Sequence, residues 1–404
     1  MVLRIAFRNC FRQRRRSVLT LAAMAGGFAL CSLSIGISDG TYLGLIEAFT
    51  RDRTGHIQIH GEGYLDRPTL YNTIDDPDRV GETVESLDVV AAWTPRVYSP
   101  VLAAAGNKTT GARIVGVLPG REARTTRLRL QVSAGRFLTG RPGLEVMLGH
   151  GLAEALGATT GGEVILIGQA ADGSIANDVY RVVGIVGDAR DPYQRVALYM
   201  HLEEAQRFLE LGRRVHEVAV VLADASASER VAGQLEGLLT RGPVEVSPWQ
   251  VVEKAFYRAM QADLQGMWIS LGIINLIVAI GVLNTVLMAI MERTREFGVL
   301  RALGTRPAAV FLLILVETAL LSVLGALVGG VLGVISNTVL AKHGILYPTP
   351  VEYGGYVFDR LISMVSFRSV WIPAVLTFST AVLVSLIPAT RAARVAPARA
   401  MRTH

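Results

Sequence analysis

Few residue groupings in this 404-residue sequence have the types and spacing needed for chemistry. Residues 55–61 read G-H-I-Q-I-H-G, so on an extended strand Ile57 and Ile59 share one face while His56, Gln58 and His60 share the other. Two histidines on one strand face are candidate metal ligands, but no cysteine or fixed third ligand accompanies them. A half-buried strand is the expectation. Asp172, Asp178, Asp188 and Asp191 lie close together without the regular ligand spacing of a calcium loop, which favours turn formation. The letters G-x-S-x-G occur at 36–40 only, at the end of the first apolar run, so no nucleophile elbow is expected, and no H-E-x-x-H pair occurs. The phosphate loop G-x-x-x-x-G-K-[ST] is absent too, and no Gly-Lys pair occurs anywhere, so ATP chemistry by that route is not expected. No catalytic residue, metal or cofactor is predicted for the chain itself. Cys10 sits in the basic tail and Cys31 in the first apolar run, which leaves no disulfide framework for the hydrophilic segment.

What carries these residues is largely membrane helix. With 51% hydrophobic and 18% charged residues the chain is too apolar for an ordinary soluble enzyme, whose charged share is about a quarter. The net charge of +6 is nearly all arginine, with lysine only at Lys108, Lys254 and Lys342, and it lies beside apolar runs; that favours a bilayer over nucleic acid. Residues 18–38 carry no charge and, at about 1.5 Å per residue, match the roughly 30 Å hydrocarbon layer. Arg4, Arg8, Arg12, Arg14, Arg15 and Arg16 precede this run, which is longer than the core of a cleaved signal, so an uncleaved signal anchor is expected. Further runs occupy 267–291, 308–340 and 370–387. The middle one, about 33 residues, is long enough to raise two short helices in place of one. With four crossings, the tail 1–17, the connection 292–307 with Arg293, Arg295, Arg301 and Arg306, and the tail 388–404 with Arg391, Arg394, Arg399 and Arg402 share one side. The positive-inside rule makes that side cytoplasmic. One long helix is therefore preferred. The expected fold is an α-helical membrane protein with four transmembrane helices, an α+β extracytoplasmic domain at 39–266 and a short outer loop at 341–369.

Within the spans, Gly325, Gly329 and Gly333 recur every four residues and clear one helix face for close backbone approach. Glu317 falls about 16 Å into the layer, where a carboxylate faces protein or water; a hydrogen bond inside the bundle is expected, with a proton relay as the alternative. Asn275, Asn284 and Asn337 read as interhelical contacts. In the outer domain, helical patterns at 75–87 and 225–239 and strand patterns at 97–104, 112–117, 215–222 and 244–247 suggest a core module, about 50–118 and 213–250. A β-rich insertion with strands at 164–167, 180–186 and 196–200 occupies about 119–212.

The connection 292–307 reads E-R-T-R-E-F-G-V-L-R-A-L-G-T-R-P. It resembles the E-R-x-x-E-[IF]-G-[IV]-L-R-A-[LI]-G motif of the FtsX-like permeases, the family of the MacB-type exporters and the lipoprotein-releasing permeases. G-R-F-L-T-G at 135–140, G-L-A-E-A-L-G-A at 151–158, Y-R-V-V-G-I-V at 180–186 and the terminal I-P-A-T-R-A-A-R-V-A-P-A-R-A-M-R extend the resemblance over nearly the whole chain. The strand G-H-I-Q-I-H-G-E-G-Y is most similar to the lipoprotein-releasing branch. The resemblance implies an inner-membrane ABC permease whose ATP and magnesium are bound by two copies of a separate ATPase. It also implies a second permease chain, identical or related, with a periplasmic chaperone or adaptor as a further partner. ATPase coupling would fall to Glu292, Arg293, Arg295, Glu296, Phe297, Gly298, Leu300, Arg301, Leu303 and Gly304, the charges making contacts and Phe297, Val299, Leu300 and Leu303 forming an apolar anchor. The work expected is extraction or release of a lipoprotein or other amphipathic substrate, with drug or peptide efflux, or mechanical control of a cell-wall hydrolase, as alternatives.

Overall fold

The computed structural model describes residues 14–188, 191–240, 242–353 and 356–394. Arg4, Arg8, Cys10, Arg12, Arg399 and Arg402 lie outside the described residues. The chain divides into two compact units. One takes the described residues up to Leu43, Met260–Pro348 and those from Arg360 onward; the other takes Gly44–Ala259 and the described part of Thr349–Asp359.

Helix α1 (Arg14–Phe49) contributes to both units and ends in a π-helical turn, Thr50–Thr54. Gly55 stops it at φ 74°, a left-handed conformation in which a Cβ would also meet the Val220 carbonyl oxygen at 3.0 Å. Strands β1 (Ile57–Gly61), β2 (Val90–Ala105) and β3 (Lys108–Val117) follow, with α2 (Pro77–Glu85) between the first two. The Asp76 side chain caps α2 by accepting from the Arg79 N–H at 3.1 Å. Next come α3 (Pro119–Thr125), β4 (Val132–Gly135), β5 (Glu145–Gly149), α4 (His150–Leu156), β6 (Glu163–Gln169), β7 (Ile175–Val186), β8 (Ala197–His201) and α5 (Leu202–Phe208). Strand β9 (Glu217–Leu222), α6 (Ser228–Leu238) and β10 (Val244–Pro248) complete the domain.

Its ten strands form one sheet in the order β10-β1-β9-β2-β3-β8-β5-β7-β4, with β6 pairing β2 and β7. The strands of 119–212 thus extend the core's own sheet, β8 lying parallel to β3. The expected half-buried β1 is corrected: all five of its residues are buried. It is an interior strand between β9 and β10, and Tyr64 stacks on His60 with ring centroids 5.0 Å apart, covering the face that alternation alone assigns to water.

Two buried histidines act as backbone acceptors here. His56 Nδ1 takes the Leu222 N–H at 2.9 Å, and His216 Nδ1 takes the Tyr98 N–H at 3.0 Å. Burial pushes both imidazoles down to about 4. A folded value below the unfolded one means stability is complete above about pH 6.5 and is lost as pH falls towards 4. The domain in the intact chain should therefore lose up to about 2 kcal/mol per histidine between pH 7 and 5. The double variant His56→Gln, His216→Gln should flatten that profile in pH-dependent thermal unfolding; an unchanged slope would remove these residues as its cause.

The remaining helices belong mainly to the other unit: α7 (Lys254–Glu292), α8 (Thr294–Ala302), α9 (Pro307–His343) and α10 (Phe367–Ala393). Between the last two lies a hairpin of β11 (Ile345–Tyr353) and β12 (Tyr356–Leu361). Among the described residues four helices, α1, α7, α9 and α10, are long and apolar enough to cross a membrane. The run 308–340 forms part of one continuous helix. Gly325, Gly329 and Gly333 pack against Met24, Phe28 and Ser32 of α1, and a Cβ at Gly329 would stand 2.7 Å from the Ala25 carbonyl oxygen. Asn337 Nδ2 donates to the Ser32 carbonyl at 3.2 Å and to Ser32 Oγ at 3.1 Å, while Asn275 Nδ2 donates to Thr380 Oγ1 at 2.7 Å. Asn284 is corrected: it is exposed and makes no hydrogen bond among the described residues. The buried stripe of α7 runs Leu271, Val278, Val282, Val286, Ile290, and two residues from Val282 is about 200° around the helix, on the opposite face.

Candidate functional site

The sequence 292–307 folds as a short helix between two spans. α7 ends at Glu292, Arg293 breaks the helical path at φ −107°, ψ 11°, and α8 runs for nine residues. Gly304 supplies the left-handed turn at φ 88°, and Pro307 opens α9 at its first position, where a missing N–H costs nothing.

The motif then divides by direction. Phe297 and Gly298 are buried, and Phe297 packs in a cluster with Val286, Ile290, Val310, Ile314 and Ala389. Arg293 also turns inward: Nη1 reaches Glu317 Oε2 at 3.1 Å, Nε reaches Glu296 Oε2 at 3.1 Å, and the guanidinium lies 5.5 Å from the Phe297 ring centroid. Arg16 of α1 stands 3.7 Å from Glu292. Arg301 Nη1 donates to the Thr305 carbonyl at 3.3 Å and braces the end of α8. Arg295, Val299, Leu300 and Leu303 face outward, Leu303 with 80% of its surface exposed. Of the expected apolar anchor, Phe297 therefore belongs to the bundle, and only Val299, Leu300 and Leu303 are exposed. Likewise Arg293 is occupied with the bundle's own carboxylates. Glu317 is half-buried in an ion pair that offsets the cost of a carboxylate at that depth. Arg293, through Glu296 and Glu317, ties the start of the short helix to α9, while Arg16 and Glu292 join α1 to the end of α7.

A second charged network lies in the extracytoplasmic unit. Strand register sets Arg96 of β2 opposite Glu217 of β9, and Glu217 opposite His60 of β1, forming one row across three strands. Arg96 donates to both carboxylate oxygens of Glu122 on α3, at 3.1 and 2.8 Å, and to Glu217 at 2.9 Å. All three side chains are at most 5% exposed. Burial alone would raise the Glu217 carboxyl, but His60, Arg96 and the Tyr98 hydroxyl together hold it below the usual carboxylate range. The segments entering and leaving this unit are tied together: Phe49 and Phe256 rings lie 4.6 Å apart, and Arg53 pairs with Glu253 at 3.1 Å.

Sequence reading missed the partners of Arg16, Arg96 and Glu317. Only an unusual carboxylate in an apolar run hinted at one of them. Among the described residues no group of three or more His, Cys, Asp or Glu could hold a metal. Asp172 accepts from the Ser174 N–H and hydroxyl, Asp178 pairs with Arg207 at 2.8 Å, and Asp191 accepts from the Tyr193 N–H at 2.9 Å.

Residues 17–238 match the MacB-like periplasmic core domain and residues 268–397 the FtsX-like permease C-terminal region. The chain belongs to the FtsX-like ABC transporter permeases that carry a MacB-like periplasmic core domain. The lipoprotein-releasing system transmembrane protein LolC of Neisseria meningitidis serogroup B is 26% identical over 96% of this chain and 94% of that protein. The macrolide export ATP-binding/permease protein MacB of Campylobacter jejuni is 24% identical over 82% of this chain, which spans 52% of that relative. The periplasmic region of MacB from Actinobacillus actinomycetemcomitans aligns with 50% of this chain and 92% of its own at 18% identity, TM-score 0.38.

Proposed function

We propose that this chain is the permease subunit of an ABC transporter whose ATPase is a separate polypeptide, and that it extracts or releases a lipoprotein or similar amphipathic substrate at the outer face of the inner membrane. The observation that carries the coupling role is α8, anchored inward by Phe297 and the Arg293–Glu317 pair while Leu300 and Leu303 stay exposed. An ATPase docked on that face pushes on a lever already fixed to the spans. Helices α1 and α7 each contribute residues to both units, which offers a path from the short helix to the outer domain. Arginines at both chain ends and in the 292–307 connection support cytoplasmic termini by the positive-inside rule. Pairing with a second permease chain and two ATPase copies completes the proposed assembly.

The lipoprotein substrate is supported by near end-to-end alignment with LolC, whereas the MacB relative has about half its length unmatched. Depletion of the chain in its native host, followed by quantification of lipoproteins in separated inner and outer membranes, tests the reading. Retention of outer-membrane lipoproteins in the inner membrane is expected. An unchanged distribution would rule out this substrate class and leave the coupling role standing.

A further inference from the structure

The extracytoplasmic unit contains a cavity of about 540 Å³ on the polar face of β1, β2 and β9. That size falls in the range of small-molecule sites, roughly 300–1,000 Å³. Its lining is two-sided in chemistry. Leu65, Pro68, Leu70 and Pro100 give an apolar wall, and Tyr64, Tyr98 and Tyr193 supply aromatic surface. Burial keeps the Tyr64 and Tyr98 phenols protonated, so neither adds negative charge.

Of the cavity's two lining arginines, one is in an ion pair and the other is not, among the described residues. Glu217 is held by Arg96 at 2.9 Å, and Arg53 is paired with Glu253 at 3.1 Å. Arg113 is different. Its guanidinium lies 4.3 Å from the Tyr193 ring centroid and 5.6 Å from that of Tyr98, and no carboxylate within 4.0 Å pairs with it among the described residues. Its buried Nε has no hydrogen-bond partner. A largely desolvated guanidinium with an orphan donor, opening on a cavity with an apolar wall, is complementary to an anion that carries an apolar body.

We propose that this cavity binds a small amphipathic anion, a carboxylate or phosphate seated on Arg113 with its apolar portion against Tyr64 and Leu65. Arg53 and Thr54 of the π-helical turn also line the cavity, so an occupant touches the end of α1.

The test uses the full chain in phosphatidylcholine nanodiscs, with hexyl phosphate and hexanoate as probes, hexanol as the uncharged control and isothermal titration calorimetry as the readout. At least one anion should bind saturably at one site per chain, with hexanol at least about tenfold weaker, because the charge-assisted bonds are lost. Arg113→Gln should weaken the anion by at least about tenfold, and Arg113→Lys should recover most of it. Should Arg113→Gln fail to fold, the anion-to-hexanol ratio and the lysine variant decide. Absence of saturable anion binding, equal binding of hexanol, or undiminished binding by folded Arg113→Gln would each overturn the proposal. Repeating the titration in phosphatidylglycerol nanodiscs separates the sources: competition by the bilayer identifies a lipid headgroup, and unchanged binding identifies a soluble anion.

Discussion

A chain carrying Leu300→Asp and Leu303→Asp should insert and fold yet fail to retain its ATPase. Both side chains lie on the outward face of α8, and neither belongs to the buried cluster around Phe297. Apolar anchors of this kind contribute about 2 kcal/mol or more each to a protein interface, so the pair is worth at least a few hundredfold in affinity. Co-purification of the ATPase should disappear and permease-stimulated ATP hydrolysis should fall to the level of the ATPase alone. Survival of both would show that the ATPase docks elsewhere. Phe297→Asp makes an instructive contrast, because it places a carboxylate in the bundle and should lower stability before it affects docking.

The largest effect on the outer domain is expected from Arg96→Met. Removing this guanidinium leaves Glu122 and Glu217 facing each other's field, both nearly without solvent. Breaking one member of a buried ionic network costs about 3–5 kcal/mol, since the remaining charge has no compensation. For a domain of this size that corresponds to a fall of roughly 6–20 °C in thermal midpoint. Adding Glu122→Gln and Glu217→Gln to the same chain should restore much of the loss, because uncharged amides remove the unpaired carboxylates. A single variant as stable as the wild type would mean that water or a rearranged partner replaces the guanidinium.

What could be read from sequence depended on how local the signal was. The apolar runs declare membrane-length helices because their length alone meets a physical threshold, and the motif at 292–307 carries the family resemblance within one connection. The strand at 57–61 was legible as a strand but not in its surroundings. Alternation assigns His56 and His60 to a wet face, whereas both are buried, His56 accepting from Leu222 of β9 and His60 lying under the ring of Tyr64. Partnerships between distant positions were invisible. Glu317 meets Arg293 across 24 residues, and Asn337 meets Ser32 across 305. Gly329 could be assigned to a close approach, but not to the Ala25 backbone. The Asn284 expectation failed because helix periodicity places it off the buried stripe, a test that the residue type alone does not apply. The cavity beside Arg113 combines residues from six separate stretches of chain, and no window of sequence contains its pattern.

Site-specific photocrosslinking in native membranes addresses the coupling element itself. A benzophenone side chain placed singly at 297, 299, 300 or 303 is activated in cells that express the separate ATPase. Crosslinks to the ATPase should form from 300 and 303 and be absent from 297, which faces the bundle. Crosslinks from 297 alone, or none from 300 and 303 while the ATPase remains bound to the permease, would contradict the assignment of α8 as the surface that receives the ATPase.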